Sequence, residues 1–303
     1  MAREKIKLRR TMMYVSGSNP ANIAQAGIYS SDSLMFDLED SVSVNEKDAA
    51  RFVVFNALRK FDYGDIETVV RINGINTELG KHDIQAMVRA KPDIIRLPKA
   101  ERAADVLEAE QLIEAVEREI GMEVGTVKLM AAVESPLGII NAMEIATSTP
   151  RLIAMAIGAE DFVTNMHTTR SAGGVELASA RGSLLIACRA AGIYAIDTVY
   201  SDLNNDEGFL DEVRLIHQMG FDGKSCIHPR QIDPVHMVFT PGEKEIDYAI
   251  RTFEAIDEAE RKRSGVIALD GKMIDEPMVE RARRIIRLAL AAGVIDGGEY
   301  EWL

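Results

Sequence analysis

Two acidic residues and one arginine stand where this sequence can do chemistry. Glu134 closes the apolar run VKLMAAV (127–133), and Asp161 lies in IGAEDF, just past the run LIAMAI (152–157). Two carboxylates suit a hard divalent cation such as Mg2+, which prefers oxygen ligands and keeps several positions for water and substrate. The alternative is that each acid serves a helix start: Ser135-Pro136 follows Glu134, and acidic groups are favourable in a first turn. Arg71, in VVRING, is an always-ionised guanidinium after a buried-looking run, so it must be paired or must face a ligand. Asp37, Glu39 and Asp40 of MFDLED are its candidate partners.

Other chemistries find less support. No HExxH pattern or His cluster offers a softer metal site, and no GxGxxG or GxxxxGK[ST] loop is present to cradle phosphates. Cys188 and Cys226 lack ligand spacing and read as reduced core residues. Lys99, in Pro-Lys-Ala-Glu, reads as a solvated loop lysine, because a Schiff-base lysine should be desolvated inside the fold. His228, before Pro229, reads as a hydrogen-bonded turn residue, and Asp275 as the N-cap of a helix.

These residues need elements to hold them. Eight short apolar runs begin at residues 11, 33, 67, 93, 127, 152, 193 and 221, near-continuous as strands covered on both faces are. Helical patterns lie between them, at 46–60, 82–90, 105–120, 137–147, 177–192 and 209–219. Eightfold strand–helix alternation predicts an α/β fold, a closed (β/α)8 TIM barrel, with an open doubly wound sheet as the runner-up. In a barrel the charged strand ends, Asp37, Arg71, Lys99, Glu134, Asp161, Asp197 and His228 among them, should meet on the catalytic face. Residues 1–240 are expected to form the barrel and 241–303 a helical and hairpin extension. The extension reads as a helix over 244–263, two short strands around Asp270-Gly271 within 266–274, and a helix over 275–293. Its stripe of Val279, Ala282, Ile285, Ile286 and Ala289 suits packing on the same chain or on a neighbour.

Composition narrows the partners. A formal charge of −13 argues against nucleic acid, which needs clustered Lys and Arg. The basic start is not followed by the apolar segment of a signal peptide, and no transmembrane-length apolar run occurs, so a cytoplasmic protein without a membrane partner is expected.

Eight stretches in order, MYVSGSN, MFDLEDSV, VRING, RLPKAE, AAVESPLGI, IGAEDF, FDGKSCIHPRQI and GKMIDEP, resemble signature stretches of citrate lyase β chains and their acyl-CoA lyase relatives in the HpcH/HpaI aldolase superfamily. DTVYSDLNNDEGF (197–209) resembles the citrate lyase branch more than the malyl-CoA lyase branch, while Ser16 departs from the proline common among relatives. The resemblance implies a (β/α)8 barrel and a Mg2+-dependent retro-Claisen cleavage of a 3-hydroxyacyl thioester, here citryl thioester to oxaloacetate and an acetyl thioester. It implies that Glu134 and Asp161 bind the metal and that Arg71 and Glu134 contact substrate. Asp275 matches an acidic residue that in relatives reaches a neighbouring subunit's active site, which makes it the candidate acid, held protonated by partial burial, with Glu39 the weaker choice. CoA or a phosphopantetheine-type group would carry the thioester. The implied partners are an α transferase subunit and a γ acyl carrier subunit, within a homo-oligomer that is a trimer or a multiple of three. The alternatives are a malyl-CoA or methylmalyl-CoA lyase or class II aldolase on the same barrel, and a non-catalytic thioester-binding scaffold.

Overall fold

The apolar runs become strands because both of their faces are covered, by the barrel interior on one side and by helices on the other. In the computed structural model, which describes residues 6–262 and 268–296, eight parallel strands form the barrel. They are β1 (Thr11–Ser16), β2 (Ser33–Asp37), β3 (Glu67–Arg71), β4 (Ile94–Leu97), β5 (Lys128–Val133), β6 (Leu152–Ile157), β7 (Tyr194–Asp197) and β8 (Gly223–Cys226). Each strand pairs with the next in the chain, and β8 pairs back on β1. That closing pair excludes the open doubly wound sheet. Most of the predicted runs lose a residue or more at an end to the adjoining turn.

Strand alternation decides what each side chain meets. Met12, Met35, Val69, Ile94, Met130, Ala154, Ala156 and Ile196 share one buried cluster, so they define the inward set. The register agrees: Met35 lies beside Tyr14 and Val69, Val69 beside Ile94, and Met130 beside Ala154. Counting two residues onward from inward positions gives Asp37, Arg71, Arg96 and, through Ala132, Glu134. Polar groups therefore replace the apolar layer as the strands approach their C-terminal ends.

The intervening helices follow their predicted positions, most of them extended or trimmed by a few residues. Gly192 closes the helix Ala178–Ala191 in the left-handed conformation, φ 73°. The predicted helix over 137–147 is instead two short ones, Pro136–Ile140 and Ala142–Ala146. Asn141 divides them and donates from Nδ2 to the Glu101 carbonyl at 2.8 Å.

Arg9–His236 forms one compact unit. A second unit contains residues 6–8 and the described residues from Met237 onward. Within it lie the helix Glu243–Lys262, the antiparallel pair β9 (Ala268–Leu269) and β10 (Lys272–Met273), and the helix Glu276–Ala291. The Asp-Gly turn appears as read: Asp270 and Gly271 both take positive φ, 50° and 76°. The predicted residues 263, 266 and 267 lie outside the described residues. Val279, Ala282 and Ile286 pack with Ala249 and Phe253 of the long helix, so the stripe is covered by its own chain. No helix among the described residues is long and apolar enough to cross a membrane.

Candidate active site

At the C-terminal ends of β2 to β5 the inward positions carry charge. Asp37 and Arg71 are register partners on β2 and β3, and Arg71 is in turn the partner of Arg96 on β4. Arg71 grips Asp37 with two nitrogens, Nε to Oδ1 at 2.7 Å and Nη2 to Oδ2 at 2.8 Å. Its Nη1 forms ion pairs with Glu39 at 2.9 Å and Asp40 at 3.4 Å. The pairing predicted as the alternative for Arg71 is thus present. Burial alone would push the Asp37 carboxyl up, but its bond to Arg71 and that charge hold it below the usual carboxylate range. Asp37 also accepts from the backbone N–H groups of Glu39 and Ser41, which fixes the loop after β2. Lys47 ties the same loop from below, donating to the carbonyls of Leu38 and Glu39.

Glu134 follows β5 and is 4% exposed. Its Oε2 has no hydrogen-bond partner. Burial is the largest cause that pushes its carboxyl up to about 8; the charge of Arg96 opposes this, and Asp161, close enough to share a proton, adds to it. The helix-start alternative for Glu134 does not hold, because the cap of Pro136–Ile140 is Ser135, whose Oγ accepts from Gly138 N. Asp161 does lie in the first turn of the helix Ala159–Asn165 and is half-exposed. Gly158, between β6 and that helix, makes the approach possible: a Cβ there would lie 2.3 Å from Glu134 Cγ.

The donor set fits a hard cation. It offers two oxygen ligands, one of them a buried and unpartnered carboxylate that a dication would relieve, with remaining positions left for water and substrate. Among the described residues no cluster of three or more His, Cys, Asp or Glu could form a closed all-protein site.

Lys99 is exposed, as a solvated loop lysine should be, but it is tied into the acidic cluster. Its Nζ donates to Glu39 at 2.8 Å and pairs with Asp161 at 3.6 Å and Asp40 at 3.8 Å. Burial would lower the Lys99 ammonium, but the Glu39 bond outweighs it and raises the group, as unsuited to a Schiff base as the sequence implied. Its backbone is left-handed, φ 52°, a costly conformation for a non-glycine residue that clusters at functional sites.

Two further strand-end residues stay out of the site. Asp197 sits one residue past inward Ile196 and points outward, where it pairs with Arg181 and Lys224. His228 accepts from Arg230 N through Nδ1, the turn role expected of it. Asp275 caps its helix, accepting from Met278 N at 3.1 Å, and is exposed in the single chain, so the expected partial burial is absent there. Cys188 and Cys226 are buried thiols, both pushed up to about 12 by burial.

One residue escaped the sequence reading. Arg96 is 1% exposed inside the barrel mouth, with its guanidinium 5.7 Å from the Tyr14 ring that Arg71 also covers at 5.1 Å. It sits within the run DIIRLP, two residues past inward Ile94. A charge at inward parity was the signal that marks it.

The HpcH/HpaI aldolase/citrate lyase family model matches residues 10–229. The chain belongs to that family. Its similarity to the "Citrate lyase subunit beta" of Leuconostoc mesenteroides is 54% identity over 97% of this chain and 98% of that protein. Among solved members, CitE of Mycobacterium tuberculosis in complex with magnesium, acetoacetate and coenzyme A superposes with a TM-score of 0.75 at 30% identity, covering 93% of this chain and 98% of that one. The citrate lyase β subunit of M. tuberculosis complexed with oxaloacetate and magnesium gives a TM-score of 0.63 at 32% identity, over 77% and 98% of the two chains. Family membership accounts for the barrel.

Proposed function

We propose that this chain is a Mg2+-dependent carbon–carbon lyase that cleaves citryl thioester into oxaloacetate and an acetyl thioester. The observation that carries the proposal is Glu134, buried, with one oxygen unpartnered, beside Asp161 and facing the positive charges of Arg71 and Arg96. The Leuconostoc relative, named a citrate lyase β subunit, and the Mycobacterium structures with magnesium and keto acids support the same reading.

The reaction breaks the bond between the thioester α-carbon and the carbinol carbon. The hydroxyl loses its proton, its oxygen becomes a ketone, and the bonding pair passes to the α-carbon as a thioester enolate, which is then protonated. Glu134 and Asp161 would hold the Mg2+ ion, which when bound supplies a Lewis acid for the hydroxyl and its adjacent carboxylate. Arg71, immobilised by Asp37, presents a fixed charge that stabilises negative charge on the thioester carbonyl or a substrate carboxylate. A donor fixed in this way needs no reorganisation during the reaction. Asp275 donates the proton to the enolate carbon, from a neighbouring subunit of a trimer or a multiple of three, where the interface supplies the burial that the single chain lacks. In a full complex the thioester arrives on an acyl carrier subunit after a transferase subunit has formed it, and the isolated chain uses citryl-CoA.

The test is incubation of purified protein with Mg2+ and either citryl-CoA or malyl-CoA. Oxaloacetate release from citryl-CoA supports the proposal, and cleavage of malyl-CoA alone overturns it.

A further inference from the structure

Five arginines of the barrel unit are buried, and four of them follow one rule. Arg9 grips Glu67, Arg71 grips Asp37, Arg151 grips Glu117 and Arg181 grips Asp197, each with two nitrogens on two carboxylate oxygens. This is how a fold tolerates a guanidinium that cannot lose its charge. Arg96 is the exception. At 1% exposure its Nε has no partner, its Nη1 meets only the Met12 thioether at 3.5 Å, and no ion pair to it forms among the described residues. A buried, unpaired cation is costly unless something else completes it.

The missing partner is an anion that enters with the ligand. Arg96 lies on the floor of the mouth, against the apolar layer at Met12 and beside the Tyr14 ring. It is also the strongest positive influence on the Glu134 carboxylate. Arg71 has Asp37 and Glu39 as charge partners before any ligand enters, so the cation left without a counter-charge is Arg96. We infer that Arg96 is a specificity residue, which binds the distal carboxylate that a citryl thioester carries and a malyl thioester lacks. This rests on the functional reading above and deepens it, since both esters share the thioester, the hydroxyl and one carboxylate, and differ by a CH2–COO− arm. The carboxylate of that arm alone distinguishes the keto acid oxaloacetate from pyruvate.

The experiment compares wild type, Arg96→Met and Arg96→Lys in two assays. In equilibrium titrations with Mg2+ present, wild type prefers oxaloacetate to pyruvate, and Arg96→Met abolishes that preference with pyruvate binding unchanged. In turnover, Arg96→Met lowers kcat/KM for citryl-CoA by about 10²- to 10³-fold, as loss of a buried charged contact does, and leaves any malyl-CoA cleavage within a few-fold. Arg96→Lys, which keeps the charge without the fork, falls between the two and carries the test if the Met variant is insoluble. Equal losses on both acids or both esters overturn the inference, because they mean that Arg96 supports Glu134 only. An unchanged oxaloacetate preference overturns it as well. If wild type cleaves neither ester, the lyase reading fails, while the oxaloacetate–pyruvate titration still decides the role of Arg96.

Discussion

Two clusters of buried charge occupy this barrel, and one residue of strand parity separates their roles. Asp197 and Lys224 are register partners on β7 and β8, both at outward positions. There Asp197 binds Arg181 at 2.8 and 2.9 Å and Lys224 at 3.0 Å, while Glu212 takes Lys224 at 2.6 Å, Arg170 at 2.8 Å and Arg181 at 3.0 Å. Every carboxylate oxygen of Asp197 and Glu212 is paired. At the inward cluster Asp37 and Arg71 are equally well paired, but Glu134 Oε2 and Arg96 Nε are not. In the outward cluster Arg170 Nε and Arg181 Nη1 also lack a hydrogen bond, yet both guanidiniums reach carboxylates through their other nitrogens, so the network is charge-balanced and pins helices to strands. An inward cluster that holds an unpartnered carboxylate oxygen and an arginine without a carboxylate is suited to binding, so the presence of charge at a strand end says less than which way the strand turns it.

The sharpest way to break this contrast is a pair of isosteric substitutions. Glu134→Gln is expected to lower kcat by 10³-fold or more, about 4 kcal/mol of barrel-mouth chemistry, with an unchanged or higher melting temperature. Asp197→Asn should do the opposite: it strands Lys224 and Arg181 and costs about 3–5 kcal/mol in denaturant unfolding, while the folded fraction retains near-normal turnover. If both variants lost stability alike and activity alike, the two clusters would not differ in kind.

Gly158→Ala comes next. Its Cβ would lie 2.3 Å from Glu134 Cγ, so the side chain must move, and calorimetric Mg2+ affinity should fall about 10- to 100-fold, as when a ligand's support is lost. Unchanged affinity would show that Glu134 has another way to reach the ion.

The clusters also differ in the sign of their pH dependence. Asp197 lies below its ordinary value: burial opposes ionisation, and Lys224 and Arg181 outweigh it. Its stabilisation is present above the unfolded value of 3.8 and is lost as pH falls through the lowered folded value. Glu134 is raised from 4.5 to about 8, so in metal-free protein the folded state holds the extra proton and stability declines as pH rises across that interval. Denaturant unfolding with a chelator at pH 5 and pH 8 should show that decline in wild type and a flatter profile in Glu134→Gln. The smallest effect is expected at Lys99, whose half-exposed pairs make Lys99→Gln worth under about 1 kcal/mol in unfolding free energy.

How much of this was legible in the sequence follows from the same parity. The barrel was readable because eight runs are apolar on both faces, and Glu134, Asp161 and Arg71 were readable because they end or follow such runs. Asp197 looked equivalent to them, and only the register with Gly223 and Lys224 shows it facing the helices. Arg96 was passed over because it lies within a run, although its two-residue spacing from Ile94 matches that of Arg71 from Val69. The break at Asn141 depends on a bond to Glu101, forty positions away, which no local pattern records.

The central claim is that Glu134 and Asp161 together grip one hard cation. Titration of Mn2+, a spectroscopic stand-in for Mg2+, into wild type, Glu134→Gln and Asp161→Asn, followed by electron paramagnetic resonance, tests it directly. The account predicts one site per chain in wild type and its loss in each single variant at the same ion concentration. Retention of the wild-type site in either variant would contradict it.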